Sequence, residues 1–361
     1  MSSKALHLMF ACAGKSAGGA ELNFLRTCEV MHKLGEERVK ITPVVRQGSW
    51  LDKSLSEAKI PHTTAPFMGW FDFITKLYLK RLIAAQKPDL IQCWMNRATS
   101  MMPKIKGIPL IGRLGGYYKL KNYTHADHLV ANVKGIVHYL REAGWAENDI
   151  TLVPNFAGFP PKNFAETRDE VRRYYDIPKS ATVLIASSRL HPHKGQETLL
   201  RAMAELPGNV YAILAGHGPD EDMLKALTKT LQIEDRVRFV GWVDNISPLF
   251  GASDIFVVTS RVEPMGNVIL HAWTHHLPLI TSDATGPQEV VESGITGLVY
   301  PIDNHQALAE KVKIFIEQPA LAQTIADAGL QYVMAHYADD AIVEKYLALY
   351  HRLLAEEGTV K

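Results

Sequence analysis

The sequence predicts an α/β fold of two Rossmann-like, doubly wound parallel-sheet domains, on three observations. The 361 residues suit two domains of about 150 residues each. Short apolar runs alternate with amphipathic helical stretches, which is typical of parallel strands joined by helices. The runs are also too many for one small sheet, since they fall at residues 6–12, 39–45, 90–93, 109–113, 128–131, 150–153, 183–188, 210–215, 237–240, 255–259, 279–281 and 298–300.

A break between the domains is predicted at residues 154–161, where three prolines and a glycine interrupt the alternation. We therefore expect one domain over residues 1–155 and a second over residues 162–336. An amphipathic helix within residues 337–361 is expected to pack back on the first domain. Two such sheets facing each other form a cleft at the carboxyl ends of their strands, where open α/β folds bind ligands.

Charge is divided unevenly along the chain. Residues 1–155 hold 21 Lys and Arg against 12 Asp and Glu, a net charge of +9, whereas the remaining residues hold 18 against 26, a net charge of −8. Uneven surface charge alone explains this division. Alternatively, the first half of the chain meets an anionic surface or acceptor.

The composition favours a cytoplasmic protein. Apolar residues make up 47% of the chain, and no run is long enough for a transmembrane helix. The three cysteines are odd in number and lack metal-ligand spacing, as in a reducing compartment. Residues 4–13 resemble a short signal peptide, but the glycine-rich turn and helix that follow at once favour a buried first strand.

Gly18 and Gly19 follow the first predicted strand and open a helix. Paired glycines allow close backbone approach, and a helix N-terminus offers free N–H groups to an anion such as a diphosphate. A tight connection is the alternative. The nearby Gly14-Lys15-Ser16 resembles a phosphate-binding P-loop, but Met9 stands where that motif requires glycine. No GxGxxG follows the strand, which argues against a dehydrogenase.

Arg189 and Lys194 lie in the segment SRLHPHKG, after the first strand of the second domain. Two cations placed around one turn suit a diphosphate, and a solvated basic loop is the alternative. His191 and His193 resemble a metal-binding pair. The proline between them and the lack of nearby acidic residues argue against a metal.

Two further strand ends are candidates for nucleotide binding. Gly216 lies in a glycine-rich turn where the backbone can approach a ligand closely. Trp242 and Val243 follow the next strand, where a base can rest near an aromatic ring. A packed surface tryptophan is the alternative.

The segment SRVEPMGNV follows the apolar run 255–259. Gly266, Asn267 and Val268 begin a helix there, and its N–H groups can receive a diphosphate. Glu263 stands just before that helix, where a carboxylate can accept hydrogen bonds from sugar hydroxyls. A capping acid is the alternative for Glu263.

Together these motifs resemble glycosyltransferase family 4, which has the GT-B architecture. The resemblance covers nearly the whole chain and is strongest over residues 188–301. It implies a metal-independent, retaining enzyme that needs no cofactor. The first domain then binds the acceptor and the second a UDP-, GDP- or ADP-sugar. It also implies catalytic roles for Arg189, Lys194 and Glu263, diphosphate contacts from Gly18, Gly19 and residues 266–268, and nucleotide contacts from Gly216, Trp242, Val243 and His271.

The sequence departs from the family pattern in three places. The second glutamate of the Glu-Pro-x-Gly motif, which binds the ribose, is His271, and the glycine before a later Leu-Pro is His276. The family's first-domain histidine is missing from the segment RLGGYY, which leaves Arg113 and Tyr117 as acceptor-side candidates. His271 and His275 have a zinc-binding spacing, but a structural or ribose-contacting role is favoured over a metal.

The acceptor is predicted from the segment between Phe67 and Ile83. An aromatic cluster there leads into a basic amphipathic helix, as in membrane-interface segments. A helix with solvated lysines explains the pattern equally. We expect a lipid-linked or glycan acceptor of lipopolysaccharide core or another envelope glycan, at the inner membrane face, and no nucleic-acid partner. The alternatives are a sugar-nucleotide epimerase of this architecture and a catalytically weakened homologue that binds nucleotide sugars.

Overall fold

The computed structural model describes residues 5–68, 72–158, 160, 167–263 and 267–359. The chain divides into two compact units, Met1–Phe156 with Tyr337–Lys361 and Ala157–His336. The units are described one at a time.

The first unit is built on a parallel sheet of seven strands. They are β1 (Leu6–Cys12), β2 (Val39–Arg46), β3 (Thr63–Ala65), β4 (Leu90–Trp94), β5 (Leu110–Leu114), β6 (His128–Ala131) and β7 (Ile150–Leu152). Their spatial order is β3-β2-β1-β4-β5-β6-β7. The helices between them are α1 (Gly19–Lys33), α2 (Trp50–Glu57), α3 (Phe73–Gln86), α4 (Met95–Met101) and α5 (Lys134–Glu142).

The second unit repeats this plan with six parallel strands in the order β10-β9-β8-β11-β12-β13. They are β8 (Thr182–Ser187), β9 (Val210–Ala215), β10 (Val237–Gly241), β11 (Ile255–Val258), β12 (Leu279–Ser282) and β13 (Leu298–Tyr300). Its helices are α6 (Arg168–Tyr174), α7 (Gln196–Ala204), α8 (Glu221–Thr230), α9 (Ser247–Gly251), α10 (Asn267–Thr274), α11 (Thr285–Val290), α12 (His305–Glu317) and α13 (Pro319–Tyr337).

The last helix, α14 (Asp339–Thr359), returns to the first unit. Its apolar face, with Ile342, Tyr346 and Tyr350, joins the core of the first sheet. The Tyr350 hydroxyl donates to Gln92 Oε1 of β4 at 2.9 Å. Residues 337–361 hold three Lys and Arg against five Asp and Glu, so their return lowers the net charge of this unit from +9 to +7.

The apolar runs became strands because both faces of each sheet are covered. In β1, six of the seven residues are buried, as expected for a central strand between β2 and β4. Local signals place several helix starts: the side chains of Ser49, Asp72 and Asn304 each accept a hydrogen bond from a backbone N–H of the helix they precede. The sequence did not predict β3, which has three residues at the sheet edge.

Candidate active site

The order of the second sheet reverses between β8 and β11. Open parallel sheets bind ligands at such a reversal, just outside the carboxyl ends of the strands. The segment after β8 carries Arg189 and Lys194, and the segment after β11 carries Glu263. The predicted cations and carboxylate therefore lie on the two sides of one switch point.

Backbone contacts fasten these two loops together. The N–H groups of Arg261 and Val262 both donate to the carbonyl of His193, at 2.8 and 3.1 Å. The Thr259 hydroxyl donates to the carbonyl of Lys194 at 2.7 Å. Gly195 has a φ of +59°, and a Cβ there would overlap the Thr259 carbonyl oxygen. Because glycine tolerates both conditions, the loops approach closely and present their side chains in a fixed arrangement.

Lys194 and Glu263 contact each other. The Lys194 ammonium is ion-paired with Glu263 Oε2, and the exposed fractions of the two side chains are 16% and 10%. The Ser260 hydroxyl donates to the same oxygen at 3.2 Å. The Glu263 carbonyl accepts from the N–H of Gly286 at 3.0 Å, which ties the loop to the start of α11. Two residues that were predicted from separate motifs thus form one ion pair.

The two arginines near this pair differ in availability. Arg189 is exposed, and within the described residues its guanidinium has no carboxylate partner. Arg261 is engaged instead, by Asp303 at 2.7 Å and by Glu197 at 3.1 Å. Arg189 is therefore the more accessible of the two arginines, and its contact with a diphosphate stays a prediction.

The third part of the predicted diphosphate site is the start of α10. Gly266 lies outside the described residues. Asn267 is the first residue of α10, and Val268 is the second. The helix therefore begins four residues after Glu263.

The glycines predicted to admit a nucleotide also meet neighbouring backbone. A Cβ at Gly216 would overlap the Ser188 carbonyl oxygen, and the N–H of Gly216 donates to the Gly241 carbonyl at 2.8 Å. The loops after β8, β9 and β10 are thereby held side by side. Packing of these loops already requires glycine, so the glycine alone is no sign of a ligand.

Trp242 and Val243 lie beside this group of loops. The Trp242 side chain is 58% exposed, and its indole N–H donates to Asp244 Oδ1 at 3.2 Å. Val243 is half-buried. The indole face is therefore available for stacking, and its edge is held by a carboxylate.

His271 and His275 do not form a metal-binding pair. The backbone carbonyl of His271 contacts His275 Nδ1 at 2.7 Å, and the Ser247 hydroxyl contacts Nε2 at 2.9 Å. Because a carbonyl only accepts, Nδ1 carries the proton and Nε2 accepts from Ser247. Burial lowers the pKa of His275 to about 4 and also lowers that of His271. Among the described residues no cluster of three potential ligands could hold a metal ion.

The His271 ring packs near Gly158, where a Cβ would lie 3.5 Å from its Cε1. Within the described chain, no hydrogen bond joins it to the loops that carry Gly216 and Trp242. The structure therefore does not group His271 directly with the other predicted nucleotide residues.

His276 has a φ of +59°, the left-handed conformation that favours glycine after a helix. Its ring contacts Asp327 at 2.5 Å. Histidine therefore stands in a backbone position suited to the glycine of the family pattern.

Arg113 of β5, an acceptor-side candidate from the sequence, is buried inside the first unit. Its Nε donates to the Tyr346 hydroxyl of α14 at 3.0 Å, and another guanidinium N–H donates to Asn155 Oδ1. These contacts tie β5 to α14 and to the end of the first unit. Tyr117 is 51% exposed, with its ring 5.5 Å from that of Tyr139.

Gly18 and Gly19 lie in the first unit, at the start of α1. Glu21, from the same motif, is buried there. No sequence motif had indicated a role for Glu21, or for the hydroxyls of Thr259 and Ser260, which directly follow β11.

Residues 167–332 match the family model described as glycosyl transferases group 1. The lipopolysaccharide core biosynthesis glycosyltransferase LpsE of Rhizobium meliloti strain 1021 is 32% identical over 92% of this chain and 95% of its own length. LpsD of the same strain, also a lipopolysaccharide core biosynthesis glycosyltransferase, is 30% identical over 98% of this chain and 99% of its own.

Solved structures share the fold. Anabaena Alr3699/HepE, crystallised with UDP and glucose, has a TM-score of 0.79 at 22% identity, covering 95% of this chain and 98% of its own. A glycosyltransferase from Rickettsia africae ESF-5 has a TM-score of 0.84 at 19% identity, covering 97% and 99%. The predicted GT-B fold is confirmed. With relatives 32% and 30% identical over more than nine-tenths of its length, the chain belongs to the group 1 glycosyl transferases.

Proposed function

We propose that this glycosyltransferase moves a sugar from a nucleoside diphosphate to a glycan or lipid-linked acceptor of lipopolysaccharide core or another envelope glycan, with retention of anomeric configuration. The observation that carries the proposal is the Lys194–Glu263 pair, held with Arg189 at the switch point of the second sheet. LpsE and LpsD, which act in lipopolysaccharide core biosynthesis by name, support the choice of acceptor.

The diphosphate is assigned to Arg189 and Lys194. An ammonium has three N–H donors, and one of those on Lys194 is directed at Glu263. The others remain for phosphate oxygens. The start of α10 adds helix N–H groups, which favour anions. Diphosphate contacts are also proposed for Gly18 and Gly19 at the start of α1.

Charge stabilisation is the chemical task in this proposal. As the bond from sugar to diphosphate breaks, negative charge grows on the leaving phosphate, and fixed cations aimed at that oxygen lower the barrier. Attack from the leaving-group face lets a phosphate oxygen accept the acceptor proton and retains the configuration. Arg189 and Lys194 supply positive charge without a metal ion or cofactor, and Glu263 accepts hydrogen bonds from the donor sugar.

The nucleoside is assigned to Gly216, Trp242, Val243 and His271. The exposed indole of Trp242 offers a stacking face for a base. The UDP complex of Alr3699/HepE makes a uridine nucleotide the first to test. His271 takes the ribose in place of a glutamate, as a neutral imidazole, since burial lowers its pKa.

We also propose that α3 contacts an anionic membrane. Phe73, Ile74 and Leu77 are 74%, 62% and 51% exposed on its first two turns. Lys76, Lys80 and Arg81 are exposed on the same helix. Apolar side chains beside cations suit an anionic lipid surface. Trp70, in the predicted aromatic cluster, lies outside the described residues. In the described chain, no helix is long and apolar enough to span a membrane.

Sedimentation with phosphatidylglycerol vesicles at low salt tests this surface. We expect wild-type protein to bind and the Phe73→Ser/Leu77→Ser variant to bind several-fold less. Met334→Ser, which removes an exposed apolar side chain from the second unit, is the control and should bind as wild type. No binding by the wild-type protein would contradict the proposal.

The transfer proposal is tested by calorimetry with UDP-, GDP- and ADP-sugars, followed by turnover with truncated lipopolysaccharide and NMR of the new linkage. The expected result is binding of one donor and a product with the donor's anomeric configuration. Conversion of the donor without acceptor would indicate an epimerase. Binding without turnover would indicate a catalytically weakened homologue.

A further inference from the structure

A buried carboxylate lies under the glycine-rich turn of the first unit. Glu21 is only 7% exposed and is the third residue of α1. A Cβ at Gly14 would overlap its Oε1, and a Cβ at Gly18 would lie 2.8 Å from its Oε2. The turn therefore wraps around the carboxylate, and the two glycines leave the space that it fills.

Helix capping does not account for this carboxylate. A glutamate three residues after the N-cap often accepts a hydrogen bond from the N-cap backbone N–H. In the described chain, the Glu21 carboxylate accepts from its own backbone N–H and from no other residue. A carboxylate has about four acceptor positions, and burying an ion with most of them unused is unfavourable. Burial accordingly raises the pKa of Glu21.

The position of Glu21 in the fold points to a ligand. The first sheet reverses its order between β1 and β4, and parallel sheets bind ligands at the carboxyl ends of such strands. The turn over Glu21 follows β1. On the other side, α4 follows β4, and the Asn96 Oδ1 atom there is buried without a hydrogen-bond partner in the described chain. Unsatisfied acceptors thus flank the switch point on both sides.

The chemistry of these groups selects the kind of ligand. Carboxylate and amide oxygens accept hydrogen bonds, so they suit a molecule that brings several O–H donors, such as a sugar. We propose that the Glu21 carboxylate binds a hydroxyl group of the acceptor sugar and so orients the acceptor for transfer. This inference rests on the proposed transferase function. It places an uncharged, hydroxyl-bearing part of the acceptor against the Glu21 carboxylate at this switch point.

The test compares Glu21→Gln with wild type in the transfer assay with truncated lipopolysaccharide. The amide keeps the shape but loses the charge, and hydrogen bonds to charged groups are about twice as strong as neutral ones. We expect the KM for the acceptor to rise about 10-fold to 100-fold, while the Kd for the donor and the thermal midpoint stay close to those of wild type. Glu29→Gln on the same helix, which removes an ion pair with Arg26, is the matched control and should leave the acceptor KM unchanged.

Two outcomes overturn the inference separately from the proposed function. If wild type transfers sugar and Glu21→Gln has a wild-type acceptor KM, Glu21 does not contact the acceptor. If that variant loses thermal stability while the acceptor KM is unchanged, Glu21 only supports the turn. If the wild-type protein neither binds nucleotide sugars nor transfers sugar, the proposed function fails and this inference fails with it.

Discussion

Replacing Lys194 with alanine separates its predicted catalytic role from its structural one. The side chain is 16% exposed and its ammonium pairs with Glu263. Removal of one well-placed electrostatic donor costs on the order of 3 kcal/mol of barrier. We therefore expect Lys194→Ala to lower turnover about 100-fold or more.

The same substitution leaves the Glu263 carboxylate without its cation. Ser260 still donates to it at 3.2 Å, so part of the solvation is retained. Loss of one partner of a buried hydrogen-bonded group costs about 1–3 kcal/mol. We expect the thermal midpoint to fall by several degrees, on the basis of about 2–4 °C per kcal/mol for a domain of this size.

A double variant distinguishes the two effects. Lys194→Ala/Glu263→Gln also removes the negative charge of Glu263. Compared with Lys194→Ala, this double variant should recover much of the thermal stability without recovering turnover. Lys225→Ala is the control, since it removes a lysine that is 49% exposed and paired with Glu221, and it should leave turnover within about twofold because exposed pairs contribute little. Near-wild-type turnover in Lys194→Ala, or recovery of turnover in the double variant, would refute the assignment of Lys194 to the diphosphate.

Three further predictions concern the framework of the site. Gly195→Ala should destabilise the second unit by more than 1 kcal/mol, because φ is +59° and the new Cβ overlaps a carbonyl oxygen. Thermal unfolding measures the effect, and Gly208→Ala, whose Cβ meets open space, is the control. The pKa of His275 is about 4, below its usual 6.5, so the folded protein favours the neutral imidazole. The free energy of unfolding should therefore fall by about 3 kcal/mol as the pH drops from 6.5 to 4. In denaturant titrations His275→Gln should weaken this pH dependence, and an unchanged pH dependence would contradict the prediction. Arg113→Met should lower the thermal midpoint of the first unit, because the contact with Tyr346 is lost; a raised acceptor KM without destabilisation would favour the acceptor role predicted from the sequence.

Local signals in the sequence were sufficient for most of the fold. Apolar runs between turn residues marked the strands, because strands covered on both faces are apolar throughout. The exception is β3, where only Ala65 of the three residues is buried. Such a short edge strand leaves too little periodicity in the sequence to be distinguished from a loop.

The site could be predicted only in part. Arg189, Lys194 and Glu263 stand out locally because each follows a strand. By contrast, the partner of Arg113 lies 233 residues away in α14, so the sequence could not show that its guanidinium is used for packing. Position 216 likewise requires glycine because a Cβ there would overlap the Ser188 carbonyl oxygen. Ser188 lies in the loop after another strand, so this contact is not visible in the local sequence.

A crystal structure of the protein with UDP bound would show directly whether Arg189 and Lys194 bind the diphosphate. We expect one diphosphate at the carboxyl ends of β8 and β11, with both side chains within about 3 Å of its oxygens. A diphosphate bound elsewhere, or one that only one of these side chains can reach, would refute the assignment of the diphosphate to this pair.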